Sequence, residues 1–331
     1  VDEIDRRNLY RFCHAIGVDF DLADETTTGD AINSYRLKAG GRDWTGEMPA
    51  VKIRRFGRFG NNIRQIINAA RVTEVIGAER LYIDEVNFGA LVSEWRQGGI
   101  CFRPFPPPPG ELVLNGTFFY RDCFRRFFAG FDGADQLRVV SDVIAPMLRC
   151  RWGEVKGSAE DVLHIHIRSG DIFRAGGVHR SYVQPPLAYY RTVIDHFTQT
   201  KCTPKIVLVF EDRSNPCVDA LCAALGNRSI AYSMLCGGFE NAVGALLSAR
   251  TLVVGFGTFA PMIGLASTHL RRLYAFRAVP NRLTFAAKRT EIFVGRDAGD
   301  YIAPNTWRNS PDQLRCMIDY PDHAVQIVCA A

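Results

Sequence analysis

The stretch LHIHIRSGDIF, residues 163–173, opens on an alternation and then breaks it. Leu163, Ile165 and Ile167 alternate with His164, His166 and Arg168, the two-residue period of a β-strand. Ser169-Gly170-Asp171 ends the strand abruptly. A histidine, an arginine and an aspartate are thereby gathered at the carboxyl end of a strand, beside a glycine. In open α/β sheets ligands bind at that edge.

Working outward, the same rhythm continues through the second half. Strands are expected at 162–168, 205–210, 250–254 and 272–276, with helices at about 186–199, 217–226, 239–249 and 260–268. Earlier in the chain, AVKIRR (50–55) reads as a strand leading into FGRFGNN (56–62). A long amphipathic helix should follow from about Asn62 to Ile76, with Ile63, Ile66, Ile67, Ala70 and Val75 on one face. RLYIDE (80–85) is the next strand, and a strand, glycine turn, helix and strand in succession imply a parallel sheet. A first helix is expected near residues 5–16. FRPFPPPPGE (102–111) reads as an extended spacer, since four successive prolines cannot join a helix. GTFFYRDCFRRFF (116–128) reads as a helix packed on the first domain, and residues 140–160 as a crossing between domains. The expected fold class is α/β, with two facing Rossmann-like domains and a cleft between them. The expected domains are 1–155, 156–290 and a C-terminal tail, 291–331, packing back on the body.

Composition bounds the rest. The 331 residues are 47% hydrophobic and 23% charged, the make-up of a soluble globular protein. No apolar run approaches the roughly 18 residues of a membrane span. The chain begins at Val1, so a membrane role is expected only through a leader or anchor removed from the N-terminus. Only six of the 40 basic residues are lysines. Arginine excess follows from a GC-rich genome, and arginine is also the residue that grips phosphate through a planar fork. There is no dense basic run, so no nucleic-acid partner is expected. Among ten cysteines no pair has zinc-like CxxC spacing, and no metal is expected. Cys202, Cys217, Cys222 and Cys236 lie close enough in sequence for local disulfides, which would imply an oxidising compartment; buried thiols are the other reading. The sequons Asn115-Gly116-Thr117 and Asn227-Arg228-Ser229 favour the secretory pathway, with a bacterial cytoplasm as the alternative.

Four segments carry chemistry. RRFGRFGNNIRQ has glycines at 57 and 60 in a strand-to-helix turn, which aims backbone N–H groups and Asn61 at phosphate or sugar oxygens, or is a plain turn. HIHIRSGD supplies Arg168 at a strand end, where the competing reading is a surface pair with Asp171. His164 reads as a core histidine on the same face as His166. IVLVFEDRSNP ends in Glu211-Asp212, carboxylates that accept hydrogen bonds from a nucleobase amine or ribose, or else cap the next helix. Gly255 and Gly257 let the chain approach a ligand closely, and Thr258 caps the following helix or donates to phosphate.

In this order and spacing the segments resemble the superfamily of GDP-fucose-dependent α1,2-, α1,6- and protein O-fucosyltransferases, most nearly its α1,2 branch. The resemblance covers about residues 51–276. GRFGNN matches the family's opening turn, HIRSGD its H-x-R-x-G-D motif and VFED its acidic strand end. GFGTF approximates its S-x-S-T-F motif, and YYRTVIDHF sits where the family has its next helix. Three positions depart: Ser169 replaces a second arginine, and Gly255 and Gly257 replace serines.

The resemblance implies the GT-B arrangement and inverting transfer of L-fucose from GDP-β-L-fucose to a hydroxyl of an oligosaccharide or glycoprotein acceptor, without metal or other cofactor. It puts Gly60 and Asn61 near the donor pyrophosphate and sugar, and Arg168 on the β-phosphate. It puts Asp212 near guanine, and Glu240, Gly257, Thr258 and Phe259 around the donor. Arg168, Asp171 and His166 become the catalytic candidates, with Asp84 and Glu85 rivals to Asp171 as general base. The triplet Asp19-Phe20-Asp21 looks like a metal-binding DxD but precedes the first recognisable strand, and is set aside. A glycosyltransferase using another nucleotide sugar and a catalytically silent glycan binder remain the alternatives.

Overall fold

The computed structural model describes residues 18–22, 35–39 and 50–330, apart from 76, 84–93, 98, 110, 112, 122–127, 129, 175–178 and 200–202. The helix expected near 5–16, the rival bases Asp84 and Glu85, and Cys202 lie outside the described residues. The chain divides into two compact units, Val1–Gly153 and Glu154–Ala331.

In the first unit, β1 (Val18–Leu22) and β2 (Tyr35–Ala39) form an antiparallel pair, with Asp19 and Asp21 in register opposite Lys38 and Arg36. The main sheet contains β3 (Ala50–Ile53), β4 (Arg80–Tyr82), β5 (Trp95–Gln97), β6 (Ile100–Arg103) and β7 (Val113–Gly116). Its order is β5-β6-β4-β3-β7; all neighbours are parallel except the edge strand β5. Helix α1 (Phe59–Val75) covers it. Ile63, Ile66, Ile67 and Ala70 are buried as expected, but Val75 is exposed. The burial extends instead to Asn62, Gln65 and Asn68, a polar row at helical spacing. α2 (Gly133–Val139) is capped by Asp132 and runs through a π turn, Val140–Ile144, into α3 (Ala145–Trp152).

Two expectations change in this unit. The stretch read as a spacer from 102 begins inside a strand, since Phe102 and Arg103 belong to β6 and the prolines follow it. Thr117–Tyr120, read as the start of a helix, is irregular chain after β7. The cause is a competing set of partners, since Gln65 and Asn68 take the Phe118 N–H and the Phe118 and Phe119 carbonyls.

The second unit is one seven-stranded sheet: β8 (Val162–Ile167), β9 (Lys205–Phe210), β10 (Tyr232–Cys236), β11 (Thr251–Val254), β12 (Arg272–Phe276), β13 (Glu291–Asp297) and β14 (Val325–Cys329). The order is β10-β9-β8-β11-β12-β13-β14, parallel throughout except for β14. Counting from β8, the six parallel strands run 3-2-1-4-5-6, the order of a doubly wound dinucleotide-type sheet. The connecting helices are α4 (Leu187–Thr198), α5 (Cys217–Asn227), α6 (Phe239–Ser248), α7 (Phe259–Ala266) and α8 (Arg282–Ala287); α9 (Pro311–Asp319) precedes β14. Residues 291–331, read from sequence as a tail, carry β13, α9 and β14, and so extend the sheet.

Period two sorts β8 between the two faces. Leu163, Ile165 and Ile167 join a core with Val193 and Phe197 of α4, Leu221 of α5 and Met317 of α9. His164 and His166 point the other way, where His166 meets Phe259 of α7 at 5.5 Å between ring centroids. Cys217, Cys222 and Cys236 are free thiols, so no disulfide joins them: Cys217 is buried in α5, and Cys222 donates to the Met234 thioether. The sequon at Asn115 lies within β7 with a buried side-chain oxygen, whereas Asn227 is exposed at the end of α5. Among the described residues no helix is long and apolar enough to cross a membrane.

Candidate functional site

In the second unit the topological switch lies between β8 and β11, strands one and four of the sequence. Beyond their carboxyl ends stand Arg168 to Asp171 and Gly255 to Phe259, with Glu211 and Asp212 beyond the end of β9. Open α/β sheets bind ligands at this crevice.

Arg168 is mostly buried, with a side-chain exposure of 17%. Its guanidinium is held by Asp171 at 2.5 Å and approached by Glu211 at 3.7 Å; both carboxylates are about two-fifths exposed. Asp171 also accepts the Ile172 N–H. Gly170 has a positive φ of 77°, and a Cβ there would meet the Glu211 carboxylate at 2.5 Å. The positive φ favours glycine, and the missing Cβ leaves the Glu211 carboxylate room to approach.

Asp212 does different work from its neighbour. One oxygen accepts the Gly170 N–H, the Ser214 N–H and the Ser214 hydroxyl, and the other pairs with Arg174. These hydrogen bonds hold its carboxyl below the usual range despite the opposing effect of burial. It organises the turn rather than capping the next helix, whose Ncap is Pro216. Ser169, 1% exposed, accepts the backbone N–H groups of both Glu211 and Asp212. Buried Asn215 donates to the Arg168 carbonyl and accepts from the Cys217 N–H.

On the other strand end, Gly257 adopts a φ of 144° with open space around its Cβ position. Thr258 is the Ncap of α7, yet its side chain makes no capping hydrogen bond. The N–H groups at the start of α7 point out of the carboxyl edge, a setting that favours anions. At the opposite end Lys288 donates to the carbonyls of Gly264, Leu265 and Ser267, which anchors the helix from below. Exposed Phe239 packs on Phe259 at 6.0 Å, and Glu240 is exposed in the same first turn of α6. Exposed Phe256 stacks edge-on to Tyr182 at 5.7 Å. Burial, reinforced by the charge of Arg168, pushes His166 down to about 3, so its ring is neutral at physiological pH.

The structure therefore brings His166, Arg168, Asp171, Asp212, Glu240, Gly257, Thr258 and Phe259 to one edge of one sheet. Gly60 and Asn61 belong to the first unit, in the opening turn of α1. There Gly60 is buried and Asn61 packs over Gly57, whose φ is 59°. The turn is tied by the neighbouring Asn62, which accepts the Phe56 N–H and donates to the Arg58 carbonyl.

Several supporting residues carried no sequence signal. Gln184 donates to the Phe256 carbonyl, and Tyr301 donates to the Gln184 carbonyl. Fully buried Trp307 donates to the Ile172 carbonyl, and Asn309 donates to that of Phe173. The C-terminal segment thus braces the loop that follows Arg168. Among the described residues no group of three or more His, Cys, Asp or Glu side chains is arranged to hold a metal ion. Comparison with protein-family models and with curated proteins finds no match for this chain.

Proposed function

We propose that the chain is an inverting glycosyltransferase of the GT-B type, moving L-fucose from GDP-β-L-fucose to a hydroxyl of a glycan acceptor. The observation that carries the reading is the pairing of two motif segments across the switch point, with Arg168 following β8 and Gly255–Phe259 following the adjacent β11. A nucleoside diphosphate suits that edge: a cation at one strand end, and helix N–H groups with the exposed rings of Phe256 and Phe239 at the other.

In the proposed reaction the acceptor oxygen attacks the anomeric carbon as its bond to the diphosphate breaks, and GDP departs with the electron pair. The transition state resembles an oxocarbenium ion. Negative charge grows on the leaving phosphate, and Arg168 with the N–H groups of residues 257–259 stabilises it there more than in the ground state. To do so Arg168 exchanges Asp171 for phosphate. The released carboxylate then takes the acceptor proton as general base, while neutral His166 orients the acceptor. The resemblance puts Asp212 near guanine; since one Asp212 oxygen is taken up by Gly170 and Ser214, the more exposed Glu211 is proposed to share the reading of guanine or ribose beside it. Arg168 supplies the positive charge that a metal supplies in other transferases, so activity is expected to persist in EDTA. The localisation proposed with this activity is the secretory lumen.

A silent glycan binder is the second reading, favoured by one observation: Asp171 and Glu211 already compensate Arg168. Donor hydrolysis separates the two, since an active transferase slowly releases GDP from donor alone. The nucleotide is tested by thermal shift, because a ligand that binds only the folded state raises its stability. GDP is expected to raise the melting temperature more than UDP or CMP at equal concentration. Equal stabilisation by UDP would remove guanine from the assignment.

A further inference from the structure

The first unit carries a second set of groups that the donor reading leaves unused. Past the carboxyl ends of β3 and β7, Phe56, Phe119 and Tyr120 cluster, with centroids 5.1 Å apart for Phe56–Phe119 and 4.8 Å for Phe119–Tyr120. The Arg64 guanidinium lies over Phe119, 4.7 Å from its centroid, and its buried Nε has no hydrogen-bond partner among the described residues. Arg121 donates Nε to Asn68 and Nη2 to Gln136, at 2.9 and 2.7 Å, with its guanidinium over Phe128 and Phe131.

Both of those acceptors are neutral amides. Among the described residues neither Arg64 nor Arg121 pairs with a carboxylate. Burial lowers the pKa of each, and the charge of Arg64 lowers that of Arg121 further. Two like charges that feel one another and are partly dehydrated, with no carboxylate beside them among the described residues, are costly. Arg121 is not free to swing away, because Asn68 fixes it while itself bonded to the Phe118 carbonyl. A guanidinium has five N–H donors, and the bonds described use two on Arg121. The remaining donors suit an oxyanion, and exposed Tyr120, standing edge-on to Phe119, offers an apolar ring face.

We propose that Arg64 and Arg121 bind the oxyanion of an anionic sugar whose ring rests on the exposed face of Tyr120. As a binding site this stands apart from the donor assignment; only the name acceptor site rests on the transferase reading. The shared chemistry is a sugar bearing a carboxylate or a phosphate ester.

The test is calorimetric titration of the full chain, without donor, with glucuronate, glucose 6-phosphate, glucose and inorganic phosphate. At least one anionic sugar is expected to bind about tenfold tighter than glucose or inorganic phosphate, the factor expected of one charge-assisted contact, and the tighter of the two identifies the oxyanion. Arg64→Gln and Arg121→Gln should each weaken it by a similar factor, and Tyr120→Leu should weaken it too. Arg168→Ala should leave it unchanged, which separates this site from the donor site. Arg64→Gln should also fold with an unchanged or higher melting temperature, since it removes a charge that has no carboxylate partner among the described residues. Equal affinity for glucose, equal affinity for inorganic phosphate, or unchanged binding in Arg64→Gln would overturn the proposal. GDP thermal shift is read separately, so failure of one assignment does not imply failure of the other.

Discussion

The Ser169 hydroxyl accepts the backbone N–H of Asp212 at 3.1 Å, from a position 43 residues earlier in the chain. It takes the Glu211 N–H at the same distance, so one buried oxygen finishes β9. The fucosyltransferase pattern has an arginine here. Arginine has no acceptor atom and needs far more room. Ser169→Ala is therefore expected to cost about 1–3 kcal/mol, the penalty for stranding buried donors. Ser169→Arg should cost more, through overpacking as well. Denaturant unfolding of both variants checks this, and a wild-type midpoint for Ser169→Arg would show that the position tolerates an arginine.

The two glycines that depart from the same pattern should respond differently to side chains. A Cβ at Gly255 would lie 2.9 Å from the Gln184 side-chain oxygen and 3.0 Å from Pro185 Cδ. Gln184 is held by its own donation to the Tyr182 and Phe256 carbonyls, so it yields poorly. Cost at 255 should rise from Ala to Ser to Thr, beginning at about 1–3 kcal/mol. At Gly257 space is open and the backbone alone objects, with φ at 144°. Ala and Ser there should cost nearly the same, about 1–3 kcal/mol. Melting temperatures of the paired series distinguish crowding from strain; a size dependence at 257 would contradict this.

These residues mark how far the sequence could be read. Parallel strands buried on both faces, such as β9 and β11, are unbroken apolar runs and stand out against polar turns. β10 does not, because Tyr232 and Met234 are exposed on an edge strand and no alternation survives. β6 hides in front of prolines, and the polar row Asn62, Gln65 and Asn68 was visible at helical spacing only to a reader seeking buried amides. At the site, Arg168 and Asp171 announce themselves by ending a strand. The distinction between Glu211, which faces Arg168, and Asp212, which ties the turn, depends on Gly170 and Ser214. Trp307 supports Ile172 across 135 residues, and local periodicity carries nothing about such a partner.

Acid should weaken the fold through the two strand histidines. Burial pushes His164 down to about 4 and His166 to about 3, against an unfolded value near 6.5. Their folded forms hold the proton less tightly, so the unfolded state binds more protons as pH falls below that value. The stability they contribute is full above pH ~6.5 and is lost as pH falls toward the folded values. For His164, 3% exposed, the loss is on the order of 3 kcal/mol by pH 4. Unfolding curves from pH 8 to 4 should flatten by about that amount in His164→Asn; an unchanged pH slope would place the sensitivity elsewhere.

Arg168 offers the sharpest separation of chemistry from structure. Its neighbours Asp171 and Glu211 are both about two-fifths exposed, so removing the cation leaves carboxylates that water can still solvate. Arg168→Ala should therefore fold, with a modest change in melting temperature at most. Under the proposed mechanism the same change removes the charge that meets the departing diphosphate, and kcat should fall by about 10²–10³. Lysine should rescue only part, because a point charge cannot reproduce a two-pronged hold on phosphate oxygens. Asp171→Asn tests the other half of the exchange. It frees Arg168 for phosphate but removes the base, so GDP binding should hold or tighten while turnover falls. Steady-state kinetics with thermal shift on all three variants decides the matter. A normal rate with a lowered melting point in Arg168→Ala would make Arg168 and Asp171 a structural ion pair and remove the diphosphate from the strand end.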